Sequence, residues 1–121
     1  MHARMGTLHT RAGVFDHVLQ VMRDTVFPAS QRKPGFYGFL LMRDRQTSKV
    51  IGITLWESEA AMLASEEEEY LQEQVSRVIP GLRRPPEFEN YEIEVLWFFR
   101  LRLLMQNETF QALRLCTTNR F

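Results

Sequence analysis

Hydrophobic and polar positions change period several times along the chain, and each period predicts a different kind of element. Residues 5–10 form a short Thr-containing stretch that predicts a first strand. Residues 36–43 and 50–57 predict two further strands around a polar hairpin loop at 44–49. Between the first and second strands, apolar residues recur at three and four positions and predict a helix that Pro28 ends: Phe15, Val18, Leu19, Met22 and Val26.

The second half of the chain predicts another helix and a last strand. Ser58 is expected to cap a short helical stretch through Ala64, and Ser65 with the acidic residues after it fits a capping box that opens the second helix. The last strand is predicted at residues 88–96, and its alternation of apolar positions continues as far as Met105. The expected fold is therefore an α+β domain of β-α-β-β-α-β order with an antiparallel sheet.

Both faces of the predicted hairpin strands are apolar. On the second strand, Phe36, Leu40 and Met42 oppose Tyr37, Phe39 and Leu41, and the third strand shows the same two-sided pattern. An antiparallel sheet usually leaves one face wet, and two helices can cover only one face. The uncovered face therefore predicts a homodimer that pairs the sheets of two identical copies.

Length and charge limit the possible classes of protein. A chain of 121 residues forms one domain, here expected over residues 1–96, and a formal net charge of zero gives no basic field for nucleic acid. Residues 97–121 differ, with four arginines against one acid, and are expected to be a strand extension or tail, with membrane-surface contact as an open alternative. Cys116 is the only cysteine, and the N-terminal stretch has no apolar core of a signal peptide, so the cytoplasm is the expected location.

Few residues suggest chemistry. The sequence has no dinucleotide fingerprint, phosphate-binding loop or zinc spacing, and no metal site is expected. His9 at the end of the first strand is the candidate catalytic residue, because imidazole titrates near neutral pH and can accept a proton. Tyr37, Trp56 and Tyr70 are the candidate substrate-binding residues, since aromatic side chains can enclose a flat ligand, although each also fits an ordinary core position.

Several segments together resemble the antibiotic biosynthesis monooxygenase domain. They are Phe27-Pro28 near the end of the first helix, residues 34–38 entering a strand, the hairpin at 44–49, residues 54–61 including Trp56, and residues 85–93. The resemblance implies a ferredoxin-like fold that dimerises into an α/β barrel, and for some members the oxidation of phenols or quinols without metal or flavin. The haem-degrading branch is not matched, because the first strand lacks its Asn and residues 58–79 lack its Trp and His.

These observations lead to one main hypothesis and two alternatives. The main hypothesis is a cofactor-independent monooxygenase, with no cofactor and no nucleic-acid partner, that acts on a small aromatic phenol or quinol. The first alternative is a non-catalytic ligand-binding or dimerisation module of the same fold. The second is a protein that binds a membrane surface or a partner through residues 97–121.

Overall fold

A computed structural model of the protein describes residues 1–67 and 70–98, and it confirms the β-α-β-β-α-β order. Four antiparallel strands form one sheet in the order β2-β3-β1-β4, with β1 and β3 at its centre. The strands are β1 (His2–His9), β2 (Phe36–Asp44), β3 (Lys49–Trp56) and β4 (Glu87–Glu92), and the helices are α1 (Phe15–Val21), α2 (Phe27–Gln31), α3 (Glu59–Glu67) and α4 (Tyr70–Val78).

The helices lie on one face of the sheet, and the core fills the space between them. Because side chains alternate along a strand, Leu8 of β1 and Val50 of β3 point to the same side, where they pack on α1 and α4. The buried core cluster comprises Leu8, Val18, Leu19, Met22, Val26, Val50, Val78 and Leu82. The face of the sheet that carries these residues is called the helical face below.

The opposite face, called the open face below, has no helix on it in the described part of the chain. Its residues are the odd-numbered positions of β1 and β3 and the positions of β2 and β4 that pair with them. Three of its large side chains are strongly exposed, namely Leu40 (47 %), Met42 (39 %) and Tyr91 (50 %). Ile51, Ile53 and Leu55 between them are half-buried. The expected two-sided apolar sheet is therefore present.

The first helical segment continues past Pro28, where the sequence predicted its end. A π-helical stretch, Met22–Val26, follows α1 and leads directly into α2, which runs to Gln31. A proline ring within a helix normally clashes with the carbonyl group four residues earlier. The wider π turn lies immediately before this point and leaves room for the ring, so the chain stays helical.

Three other boundaries differ from the predicted ones. β1 occupies His2–His9 instead of residues 5–10, and Ser65 lies inside α3, so the predicted capping box is wrong. Ser58 does cap α3, because its Oγ accepts a hydrogen bond from the Ala61 N–H at 3.1 Å. β4 ends at Glu92, short of the predicted Leu96; of the proposed continuation to Met105, residues 93–98 are not in a strand and the remainder lies outside the described residues. In residues 1–67 and 70–98, no helix has the length and apolar character needed to cross a membrane.

Gly35 connects the helical segment to β2 at a backbone angle φ of +79°. A Cβ at this position would overlap the Cβ of Ala61 on α3, whereas Gly13, at φ of +82°, has open space around it. We expect Gly13→Ala to lower the free energy of unfolding by about 1–2 kcal/mol through the left-handed backbone alone. We expect Gly35→Ala to lower it by about 2–4 kcal/mol, because overlap adds to the same backbone cost. Urea denaturation of both variants measures this, and equal losses would show that the contact with Ala61 is unimportant.

Candidate functional site

A cavity of about 70 Å³ lies between the helical face of the sheet and α4. Its floor is a pair of glycines, Gly6 on β1 and Gly52 on β3, which are direct partners in the ladder. A Cβ on Gly6 would lie 3.1 Å from the Phe88 ring, and one on Gly52 would lie 3.2 Å from the Met22 methyl group. The absence of both side chains at one point in the sheet therefore creates the space. The cavity is lined by Arg4, Gly6, Leu8, Met22, Gly52, Gln74, Val75, Val78 and Phe88.

Arg4 is the charged residue of this lining and is only 4 % exposed. Its Nη2 atom donates hydrogen bonds to Glu66 Oε1 at 2.6 Å and to the Met62 carbonyl at 2.9 Å, and its Nη1 donates to Ser65 Oγ at 3.3 Å. A buried charge needs a partner and several hydrogen bonds to be tolerated. Three residues of α3 supply them, so the guanidinium of β1 is fixed by α3.

Two buried polar atoms of the cavity residues have no hydrogen-bond partner in the described structure. They are Nε of Arg4 and Oε1 of Gln74, and the Gln74 residue is 6 % exposed. Leaving a buried donor or acceptor unpaired costs about 1–3 kcal/mol. The remaining lining is apolar apart from the two glycines, so these are the two unpaired polar atoms among the side chains of the lining residues.

His9 lies on the other side of the sheet from this cavity. It follows Leu8, a cavity residue, and strand alternation turns it to the open face. There it belongs to a cluster at the end of β1: Nη2 of Arg84 lies 3.0 Å from His9 Nδ1 and 2.9 Å from Nε2, and Glu87 Oε1 lies 3.6 Å from Nε2. An arginine can only donate, so it bonds to the unprotonated ring nitrogen and favours neutral imidazole.

The surroundings of His9 set the direction of its pKa. Partial burial and then the positive charge of Arg84 lower the pKa below the ordinary value of 6.5, while Glu87 opposes the shift and Arg83 and Lys49 add to it. A lowered pKa is compatible with accepting a proton at neutral pH. Its role as proton acceptor remains a prediction, and it applies to a ligand on the open face.

The predicted aromatic site residues are not brought together with His9. Trp56 pairs with His2 at the opposite end of β1, seven residues or about 23 Å from His9. Trp56 has no exposed surface; its Nε1 donates to Thr54 Oγ1 at 2.9 Å and its ring meets Phe36 edge-on at 5.7 Å. It therefore stabilises an aromatic part of the core. Trp56→Ala would lower the free energy of unfolding by about 3–5 kcal/mol. A loss of activity in this variant would therefore report on folding and not on substrate contact.

The other two residues predicted to bind the substrate, Tyr37 and Tyr70, lie in different parts of the structure. Tyr37 is half-buried at a register shift between Phe36 and Gly38, near Trp56. Tyr70 begins α4, four residues before Gln74, and its side chain lies outside the described part of the structure. Sequence reasoning missed Arg4, Gln74 and the glycine floor. The available signal was an isolated glycine in each of two strand patterns, which marks a close approach or a missing side chain.

Known proteins resemble this chain in sequence and in fold. The family model described as antibiotic biosynthesis monooxygenase matches residues 1–90, so the chain belongs to that family, as the sequence resemblance predicted. An uncharacterised protein of Mycobacterium tuberculosis, Rv2557, is 35 % identical over 68 residues, which cover 56 % of this chain and 30 % of that protein. The match thus spans less than a third of the length of this relative.

Solved structures share the fold. A monooxygenase from the gene ActVA-Orf6 of Streptomyces coelicolor, in complex with the ligand nanaomycin D, superposes with a TM-score of 0.62 at 20 % identity, over 80 % of this chain and 90 % of that one. SnoaB, a cofactor-independent oxygenase from Streptomyces nogalater, superposes with a TM-score of 0.63 at 16 % identity. The superposition covers 78 % of this chain and 95 % of that one. At these identities the similarity establishes the ferredoxin-like α+β fold.

The lowered pKa of His9 predicts a pH dependence of stability. A histidine whose folded pKa lies below its unfolded value of about 6.5 contributes stability above that pH and loses it as the pH falls toward the folded pKa. We therefore expect the free energy of unfolding to fall between pH 7 and pH 5, and His9→Gln to flatten that dependence. The exposed His17 provides the matched control, His17→Gln. Denaturant titrations across this range measure the effect, and an unchanged slope in His9→Gln would remove His9 as its source.

Proposed function

We propose that the protein is a monooxygenase that oxidises a small phenol or quinol in the cavity above Gly6 and Gly52. The observation that supports this is an apolar cavity with one unpaired buried donor and one unpaired buried acceptor, in a chain of this family. Such a lining suits a ligand with an apolar body and a polar edge. The structural neighbour described as a cofactor-independent oxygenase makes a reaction without cofactor reasonable for this fold.

The proposed reaction needs no external reductant. A phenol and O₂ together give a quinone and water: one oxygen atom replaces ring hydrogen, and the other leaves as water with the two hydrogens removed. The substrate supplies all four electrons that reduce O₂. The protein then has to hold the ring, expose it to O₂ and keep water away from the reactive intermediate, and the apolar residues Leu8, Val75 and Val78 suit that task.

The size of the cavity limits the substrate and requires side chains to move. A cavity of about 150 Å³ is known to hold benzene, so about 70 Å³ is too small for one aromatic ring. Met22 has a flexible thioether side chain, and Phe88 is 43 % exposed. We propose that these two side chains move outward when a ring enters. Contacts from Tyr37, Trp56 and Tyr70 to the substrate remain predictions.

Filling the cavity should abolish turnover. We expect the purified, metal-stripped protein to consume O₂ with a single-ring or two-ring phenol or quinol, and Gly52→Ala to reduce the rate at least tenfold because its Cβ occupies the space beside Met22. Gly38→Ala is the matched control, since its Cβ would lie 3.3 Å from the Leu55 side chain on the open face. An oxygen electrode measures both rates. Equal rates in the two variants would exclude this cavity as the site.

We also propose that the open face pairs with the same face of a second copy. Leu40, Met42 and Tyr91 are exposed there beside half-buried isoleucines, and contiguous apolar surface of this kind is uncommon on a monomer. A face-to-face pair would bury it and would form the α/β barrel implied by the family resemblance. Such a pair would also enclose His9 and the Arg84–Glu87 cluster beside it.

The proposed dimer can be tested with one leucine-to-lysine substitution on the open face and a matched control on a helix. We expect Leu40→Lys to convert the protein to a monomer, because it places a charge on the apolar open face that the proposed interface would bury. Leu63→Lys is the control, since Leu63 has 39 % exposure but lies on α3, away from the open face. Sedimentation velocity at one protein concentration distinguishes the outcomes. A dimer that survives Leu40→Lys would place the interface elsewhere.

A second candidate function is ligand binding without catalysis. It is favoured by the cavity lining, which includes no side chain that titrates near neutral pH. Tight binding of a phenol without O₂ consumption would support this alternative. The third hypothesis concerns residues 97–121, of which 99–121 lie outside the described residues, and it remains a prediction.

A further inference from the structure

The two unpaired atoms of the cavity have opposite hydrogen-bonding character. Arg4 Nε carries a hydrogen and can only donate, and Gln74 Oε1 can only accept. Both belong to residues that are more than nine-tenths buried and that line the same small space. Both atoms are buried, so a ligand oxygen would meet them only after the outward movement of Met22 and Phe88 proposed above has opened the space.

A neutral hydroxyl group satisfies both atoms at once. Its oxygen accepts from Arg4 Nε, and its hydrogen is donated to Gln74 Oε1. An ether oxygen satisfies only the arginine, a carboxylate would face the Gln74 oxygen with a second acceptor, and an ammonium group would be repelled by the guanidinium. We propose that Arg4 and Gln74 form a donor–acceptor pair that selects the hydroxyl group of a phenolic ligand.

The rest of the site explains how this pair is held in place. The other two guanidinium nitrogens of Arg4 are bonded to Glu66, Ser65 and the Met62 carbonyl, and Nε is the nitrogen that has no partner. Gln74 lies in the middle of α4, on the turn before Val78, another cavity residue. The hydroxyl therefore meets two groups fixed by secondary structure, and the apolar lining receives the ring.

This inference depends on the proposed function only for placing the ligand in the cavity, and it can be tested by binding alone. Isothermal titration calorimetry of the full chain with phenol, toluene, anisole and benzoate compares ligands of similar size and different hydrogen-bonding groups. We expect phenol to bind about tenfold more tightly than toluene, with anisole between them and benzoate weakest.

Substitutions of Arg4 and Gln74 test whether these two residues cause the preference for phenol. Gln74→Leu keeps the volume of the side chain but removes the acceptor, and we expect it to make phenol and anisole bind equally. Gln72→Leu, at an exposed position of the same helix, should leave the preference unchanged. Arg4→Lys keeps the charge beside Glu66 but has no Nε donor, and it should reduce the preference of phenol over toluene to less than threefold. Circular dichroism measures whether each variant folds. If Arg4→Lys does not fold, the comparison of Gln74→Leu with its control Gln72→Leu tests the proposal.

Each outcome has a defined meaning. Equal binding of phenol and toluene would show that the ligand hydroxyl does not bond to the two atoms, and this would overturn the proposal. Preferential binding of benzoate would show that the site selects an anion and would overturn it as well, as would the failure of all four probes to bind. A hydroxyl preference that Gln74→Leu removes, in a protein that consumes no O₂, would support the pair and reject the monooxygenase.

Discussion

The alternation of side chains along β1 is the constraint on which the rest of the structure depends. β1 lies between β3 and β4, so each of its residues faces either the helices or the open side. Arg4, Gly6 and Leu8 face the helices and line the cavity, whereas His9 faces the other way. The strand thus separates the cavity from the proposed dimer interface, and a shift of register by one residue would exchange the residues that face each of them.

The hairpin of β2 and β3 could be predicted to within one residue at each end, because polar residues 44–49 sit between two strongly apolar runs. The boundaries of the helices could not be predicted in this way. Pro28 is an ordinary stop signal, but the π turn before it changes the local geometry. Ser65 carries a capping pattern, but its hydroxyl donates to the Met62 carbonyl and accepts from Arg4, so a tertiary contact determines its place.

Less of the candidate site was accessible from the sequence. Histidine and aromatic residues attract notice because their side chains have evident chemistry, but Tyr37 and Trp56 lie at the opposite end of the sheet from His9. The cavity depends instead on two residues without side chains, Gly6 and Gly52, that become partners only in the folded register. It depends also on Arg4 and Gln74, which are far apart in sequence. Contacts over such distances cannot be derived from local periodicity.

Arg4 belongs to two environments, because it lines the cavity while three hydrogen bonds of its guanidinium fix α3 to the sheet. If a ligand bonds to Arg4 as proposed, occupancy of the cavity and the docking of α3 would be thermodynamically linked. A ligand that bonds to Nε holds the arginine in the orientation that α3 requires, and slower amide exchange along α3 should accompany it. In the same way, loosening of α3 would release the Arg4 side chain and weaken ligand binding. Affinity at this site would then report the integrity of a helix that the ligand does not touch.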